Sequence, residues 1–383
     1  MTIIIINNID HPLTHLWIKY DTLTRKSIMH PIYPLNIKNE FVFNSSARDF
    51  SVEEIPLYEF SGEGEHLVLH VRKKDMTTWE MLDALSNHVG IRRRDMGYAG
   101  LKDKHAMTMQ YISILAIHEE KLKVFEHEKI KILSMVRHSN KIRVGHLKGN
   151  RFRIRLKKVL GIQKDKLDSG LKWIKAHGVP NYFGNQRFGV DGNNWEDGKK
   201  LIEGTLKMRD RKTKEFLMGS YQSYLFNNWL AKRMELNLML EKFSESQTEE
   251  FMGLAQGSLA GVKAQEHFFK VLEGDVMMHY PYGRLFNAED IAEEAKRFTS
   301  KDIAPAGLLA GKKADLSLAV AGEIESSFNE VLPLNGTRRY AWIQVGEVTK
   351  NYVEEKAHYE ISFTLPKGSY ATNVLDVLRG SRG

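Results

Sequence analysis

Hydrophobic and polar positions alternate with period two along residues 143–159, where Arg151, Arg153, Arg155 and Lys157 fall on one side and Phe152, Ile154 and Leu156 on the other. This is the pattern of a half-buried β-strand, and it places Asn150 on the same side as Phe152. Shorter β-favouring runs begin at Phe50, resume at 66–71 after a turn at 61–64, occupy 96–101, and return at 107–115, 340–348 and 358–365. Short strands are also expected at 3–6 and 16–20. Other stretches carry helical spacing. Thr77 and Glu80 form a capping-box signature ahead of a helix that turns Leu82, Leu85 and Val89 inward and ends near Gly90. Residues 220–243 place Phe226, Leu230, Met234 and Leu238 four apart with Trp229 beside them, an amphipathic stripe, and 288–298 is a further helical run. Short strands mixed with occasional helices predict an α+β core.

Composition narrows the classes without selecting one. The 383 residues suffice for two or three domains with a well-buried core. The 56 basic and 48 acidic residues leave a formal charge of +8, which suits a polyanionic partner such as RNA. The lack of cysteine excludes disulfides, zinc–thiolate sites and a cysteine nucleophile, and fits a reducing compartment. The early run of four isoleucines is too short to span a membrane and lacks the basic start of a signal peptide, so a soluble cytoplasmic protein is expected.

Asp103, within GYAGLKDKHAMT (97–108), is the leading candidate for chemistry. Small and apolar residues up to Gly100 and β-favouring residues from Met107 put it on a connection between strands, where functional side chains concentrate. Between Lys102 and Lys104 it is expected to be a charged carboxylate at neutral pH, suited to a nucleophile or base. The two lysines either tune it, touch phosphate or are simply solvated. Arg151 and Arg153 are candidates for an RNA backbone track, or else form a polar sheet face. NYFGNQRFG (181–189) suits a close approach to RNA or an interdomain hinge. Other chemistries lack their residues. His66 and His70 would lie about 13 Å apart on a strand at ~3.3 Å per residue, too far to share a metal ion. Glu53 and Glu54 have nothing that pairs either with Asp103 in a glycosidase arrangement, and no Walker or dinucleotide loop is present. Neither a metal nor a cofactor is expected.

Taken whole, residues 97–108 resemble the signature of the TruD family of tRNA pseudouridine synthases, whose nucleophilic aspartate falls at Asp103. Four more segments resemble the family's landmarks in the family's order: ARDFSVEEIP with GEGEH (47–66), RVGHLKGNRF (143–152), VPNYFGNQRFG (179–189) and LPKGSYATNVL (365–375). Residues 1–46 carry none of the resemblance. It implies a discontinuous catalytic domain, 1–177 with 344–383, built on a mixed, mainly antiparallel sheet of pseudouridine synthase type and interrupted at 178–343 by an inserted α/β TRUD domain. It further implies a cofactor-independent isomerase that converts uridine 13 of tRNA to pseudouridine. By resemblance Phe152 stacks on the target uracil and Asn150 hydrogen-bonds to it. Phe50 and Tyr370 map near the substrate, where the family usually has phenylalanines; the hydroxyl of Tyr370 is a departure. tRNA is the implied partner, with no membrane and no obligate protein partner. A non-catalytic RNA-binding or RNA-folding protein, or a synthase of the family acting on other RNA, would use the same basic, aromatic cleft. Asp103 standing within the full motif favours the enzyme.

Overall fold

The computed structural model describes residues 31–189, 191–281 and 283–380, so the strands expected at 3–6 and 16–20 lie outside it. The strands in chain order are β1 (Phe50–Pro56), β2 (His66–Lys73), β3 (Gly97–Tyr98), β4 (Met107–Leu115), β5 (Ile130–His138), β6 (Leu147–Lys157), β7 (Val179–Pro180), β8 (Val276–His279), β9 (Leu285–Asn287), β10 (Ile303–Leu309), β11 (Thr337–Tyr340), β12 (Trp342–Ile343), β13 (Gly346–Val353) and β14 (His358–Pro366). One eight-stranded sheet runs β13–β14–β6–β1–β4–β2–β5, with β3 beside β4. Its pairs are antiparallel except β1 with β4. The fold is therefore α+β around a mixed, mainly antiparallel sheet.

Two helical layers rest on one face of this sheet. The helix Thr78–Val89 is closed at its start by the reciprocal Thr77–Glu80 box and at its end by Gly90 at φ 79°. It seats Met81, Leu82, Leu85 and Val89 against Leu69, Val71, Ile112 and Ile114 of β2 and β4. Over β6 and β14, the helices Gly161–His177 and Ala371–Arg379 bury Leu171, Ile174, Val374 and Leu378 in one cluster with Phe152, Ile154, Ile361 and Phe363. Between the two covered halves, β1 faces the loop that follows β3. The strand expected over 96–101 is cut to Gly97–Tyr98, because Ala99 C=O accepts from Gly145 N–H and Lys102 N–H donates to Thr78 Oγ1, drawing the chain out of the sheet.

A second core occupies residues between 182 and 342. A four-stranded antiparallel sheet, β11–β10–β8–β9, packs with the long helix Arg211–Lys242 around Phe226, Trp229, Leu230, Met234, Met277 and Ile303. This helix begins well before the apolar stripe at 220. Asp210 caps it by accepting from Thr213 N–H at 2.7 Å, and its first turn, Arg-Lys-Thr-Lys, is exposed and carries no periodicity. The expected 340–348 strand divides into β11, β12 and β13, since Ala341 N–H turns to Pro305 C=O and Trp342 pairs instead with Pro180. The β7–β12 pair thus sets the chain at 179 beside the chain at 343. Among the described residues no helix is long and apolar enough to cross a membrane.

Candidate active site

Sheet register assembles the site. Val52 of β1 lies opposite Phe152 of β6, and Glu54 opposite Asn150, so Phe50, Val52 and Glu54 share a face with Asn150 and Phe152. β4 runs parallel to β1 with Ser51 aligned to Met107, which brings the loop preceding β4, and Asp103 with it, to the Phe50 end of β1. The resulting cavity is about 570 Å³. Seven of the nine expected site residues line it: Phe50, Lys102, Asp103, Lys104, Asn150, Phe152 and Tyr370. The rings of Phe50 and Phe152 lie nearly parallel, 7° apart with centroids at 6.2 Å. Phe152 is only 6% exposed and belongs to the core cluster as well as the cavity wall. Tyr370 stands at the N-terminus of the helix Ala371–Arg379, across from that wall.

The loop bearing Asp103 is held from beneath. The Lys73 ammonium, fully buried at the end of β2, donates to Asp103 C=O at 3.0 Å and to Met76 C=O at 2.7 Å. Burial drops its pKa to about 8, against the attraction of the Asp103 carboxylate. Lys102 does not reach outward for phosphate. Its ammonium turns inward, 2.9 Å from Glu54 Oε1 and 2.7 Å from Asn150 Oδ1, with both members of the ion pair enclosed. Burial raises the Glu54 carboxyl above its ordinary range while Lys102 and a 2.9 Å hydrogen bond from Tyr111 N–H oppose the rise. Because Lys102 occupies the amide oxygen of Asn150, the amide NH₂ is the group left to face a ligand. The Asp103 side chain is exposed, and its carboxylate makes no hydrogen bond to a described residue. Lys104 is exposed beside it.

Arg151 and Arg153 are not brought into the cavity. They lie on the opposite face of β6, where Arg151 is 2.7 Å from Glu347 and 3.7 Å from Glu53. Next along this face, Arg155 meets Glu360 at 2.9 Å and Asp49 at 3.6 Å, and Lys157 pairs with Asp49. Arg153 alone of the four is exposed without a partner among the described residues. Lys73, which braces the Asp103 loop, Glu54, which pairs with Lys102 behind Asn150, and the wall residue Gln186 are among the residues that sequence reasoning did not place in the site. A parity signal existed for two of them: Lys73 continues Leu69 and Val71, and Glu54 continues Phe50 and Val52, on the buried side of their strands. No group of three His, Asp or Glu side chains among the described residues is placed to hold a metal ion. A separate hollow of about 460 Å³, at Tyr58, His138 and His146, lies at the far ends of β1 and β6 and contains none of the expected residues.

Comparison with known proteins places the chain in a family. The family model described as tRNA pseudouridine synthase D (TruD) matches residues 41–209 and 202–377. The tRNA pseudouridine synthase D of Sulfurimonas denitrificans is 49% identical over 337 residues, covering 88% of this chain and 94% of its own. That of Wolinella succinogenes is 49% identical over 353 residues, covering 91% and 98%. That of Helicobacter pylori is 45% identical over 358, covering 90% and 94%. The crystal structure of a TruD protein from Methanosarcina mazei superposes with a TM-score of 0.66 over 91% of this chain and 95% of that one, and at 21% identity it speaks for the fold alone. The chain belongs to the tRNA pseudouridine synthase D family.

Proposed function

We propose that this protein isomerises uridine to pseudouridine in tRNA, at position 13, with Asp103 as the catalytic nucleophile. The observation that carries the reading is the convergence of one carboxylate, one oriented amide and stacked aromatic rings on a single cavity. The target nucleotide leaves its stack at a cost of a few kcal/mol, and Phe152, with Phe50 behind it, offers the replacement surface for the uracil. The Asn150 NH₂ donates to a uracil carbonyl. The N1–C1′ bond breaks, the uracil turns while held, a C5–C1′ bond forms, the proton leaves C5 and one is taken up at N1, so atoms balance without oxidant or energy source. Asp103 can act at ribose C1′, at uracil C6 or on a sugar proton; each route requires its carboxylate beside the base. Residues 1–177 and 344–383 then form the catalytic domain and 178–343 the insertion, a division supported by the β7–β12 pair and by cores that separate near the same positions. Arg151 and Arg153 can meet only RNA that passes along the far face of β6.

Incubating prefolded tRNA with the purified protein, in chelator and without added nucleotide, should yield pseudouridine at one mapped position. Tight tRNA binding with no pseudouridine would instead support the RNA-binding reading. A need for a protein-bound metal would remove the cofactor-free mechanism.

Lys73 gives the reading a pH signature. In the unfolded chain a lysine stays charged to ~10.4, whereas folded Lys73 loses its charge near 8. Between these values the unfolded state holds more protons, so this group's cost to stability is full below pH 8 and is relieved as pH rises. Support for the Asp103 loop runs the other way, since the ammonium that attracts its carboxylate is lost above pH 8. Single-turnover rate is therefore expected to decline through an alkaline limb near pH 8 while the Lys73 contribution to the thermal midpoint improves. Lys73→Met should lack the limb. A limb unchanged in that variant would assign it to another group.

A further inference from the structure

Among the described residues, the two most enclosed arginines have carboxylate partners. Arg233 grips Asp275 with both terminal nitrogens, at 2.5 and 2.9 Å, and Arg338 holds Glu325 at 2.5 and 2.8 Å. That is the usual outcome, because a charge withdrawn from water needs a counter-charge. Arg187 and Arg339 depart from it. Both are half-buried, and neither meets a carboxylate among the described residues. Arg187 donates from Nε to Ser223 Oγ at 3.0 Å. Arg339 donates to Asn181, at 3.2 Å to its C=O and 2.9 Å to Oδ1, and sits 4.0 Å above the Phe183 ring.

Their place matters as much as their lack of acid. Tyr370, a wall of the uridine cavity, has its ring 5.9 Å from the Arg339 guanidinium. Gln186, the residue before Arg187, lines the same cavity. Burial lowers both guanidiniums from their ordinary range; Tyr370 opposes this for each, and the charge of Arg187 adds to it for Arg339. Two like charges thus lie beside the cavity wall with no carboxylate partner among the described residues. The fold makes room for one of them: a Cβ on Gly219 would come within 2.4 Å of the Arg187 guanidinium. Guanidinium forks match phosphate oxygens better than any other side chain does.

We propose that Arg187 and Arg339 together bind one phosphodiester of the RNA backbone next to the nucleotide that enters the cavity, fixing the strand while the base is held by Asn150 and Phe152. The inference rests on the reading of the cavity as a uridine site and adds a backbone anchor to it. It also gives NYFGNQRFG the RNA-contact role its composition suited, with Arg187 as one ligand and Asn181 and Phe183 shaping Arg339.

The test uses tRNA transcripts that carry a single uncharged methylphosphonate linkage, placed in turn on each side of the uridine that the wild-type protein isomerises. Wild-type affinity should fall about tenfold at one linkage, as for loss of a charge-assisted contact. Arg187→Gln and Arg339→Gln should bind unmodified tRNA about tenfold more weakly and no longer respond to that linkage. The slope of log affinity against log salt should become shallower by ~0.7 to 0.9 for the one phosphate released. Arg187→Lys should keep the slope. Arg339→Gln also loses its hold on Asn181, so thermal unfolding is followed in parallel, and Arg187→Gln, which leaves that contact intact, decides the matter if the other variant unfolds. Unchanged salt slopes, or variants that still respond at the same linkage, would overturn the proposal, as would a wild-type protein indifferent to every linkage. Failure of the uridine reading looks different: no pseudouridine forms with wild-type protein, whatever the linkage scan across the tRNA reports.

Discussion

Asp103→Asn is expected to lower the single-turnover rate of pseudouridine formation by at least ~10³-fold, the loss typical when the group performing covalent or proton-transfer chemistry is removed. Among the described residues that line the cavity, Asp103 is the one carboxylate, so no neighbour can substitute. The change should spare the fold. The side chain is exposed, its carboxylate makes no hydrogen bond to a described residue, and the contact that anchors the loop to Lys73 uses the Asp103 backbone carbonyl, which the variant keeps. Affinity for tRNA should stay within a few-fold of wild type, because most of it derives from many backbone contacts. Rate and affinity measured on the same prefolded tRNA separate chemistry from binding. A variant retaining a tenth of the wild-type rate would remove Asp103 from the role of nucleophile.

The parts of the site visible in the sequence are those set by local rules. Period two along β6 put Asn150 and Phe152 on one face, and the small residues before Asp103 marked the bend that presents it. The fate of the arginine face was not visible, because the acids that neutralise it arrive by register from distant strands. Glu53 of β1 lies opposite Arg151, and Glu360 of β14 opposite Arg155, with Asp49 just before β1 reaching Lys157. No local pattern in the 147–157 segment announces those partners. Lys73 reads as one more surface lysine in HVRKK, and only the parity of its strand points it inward. In the second core, the helix Arg211–Lys242 exceeds its apolar stripe at the start because a cap and solvated first turns need no hydrophobic spacing. Toward its end Leu236 and Leu240 are buried in preference to Leu238, as enclosure on more than one side broadens the buried face.

Lys102 is expected to be the most consequential residue after Asp103, through two effects that a pair of variants separates. It forms an enclosed ion pair with Glu54, their side chains 8% and 1% exposed, and it holds the amide oxygen of Asn150 at 2.7 Å. Lys102→Met keeps the volume but strands the Glu54 carboxyl in a site where burial already favours its protonated form. Breaking such a pair from one side costs about 3–5 kcal/mol. The double variant Lys102→Met/Glu54→Gln removes the stranded charge and retains an acceptor for Tyr111 N–H, so chemical denaturation should show more than half of that loss recovered. Turnover should not recover with it. Without the ammonium, the Asn150 amide has no fixed orientation and can present oxygen where the uracil carbonyl needs a donor, which should leave the double variant about tenfold or more slower at saturating tRNA. Stability and rate then diverge between the single and double variants. If the rate instead returns together with stability, Lys102 matters only as the counter-charge of Glu54, and the orientation of Asn150 is set by something else.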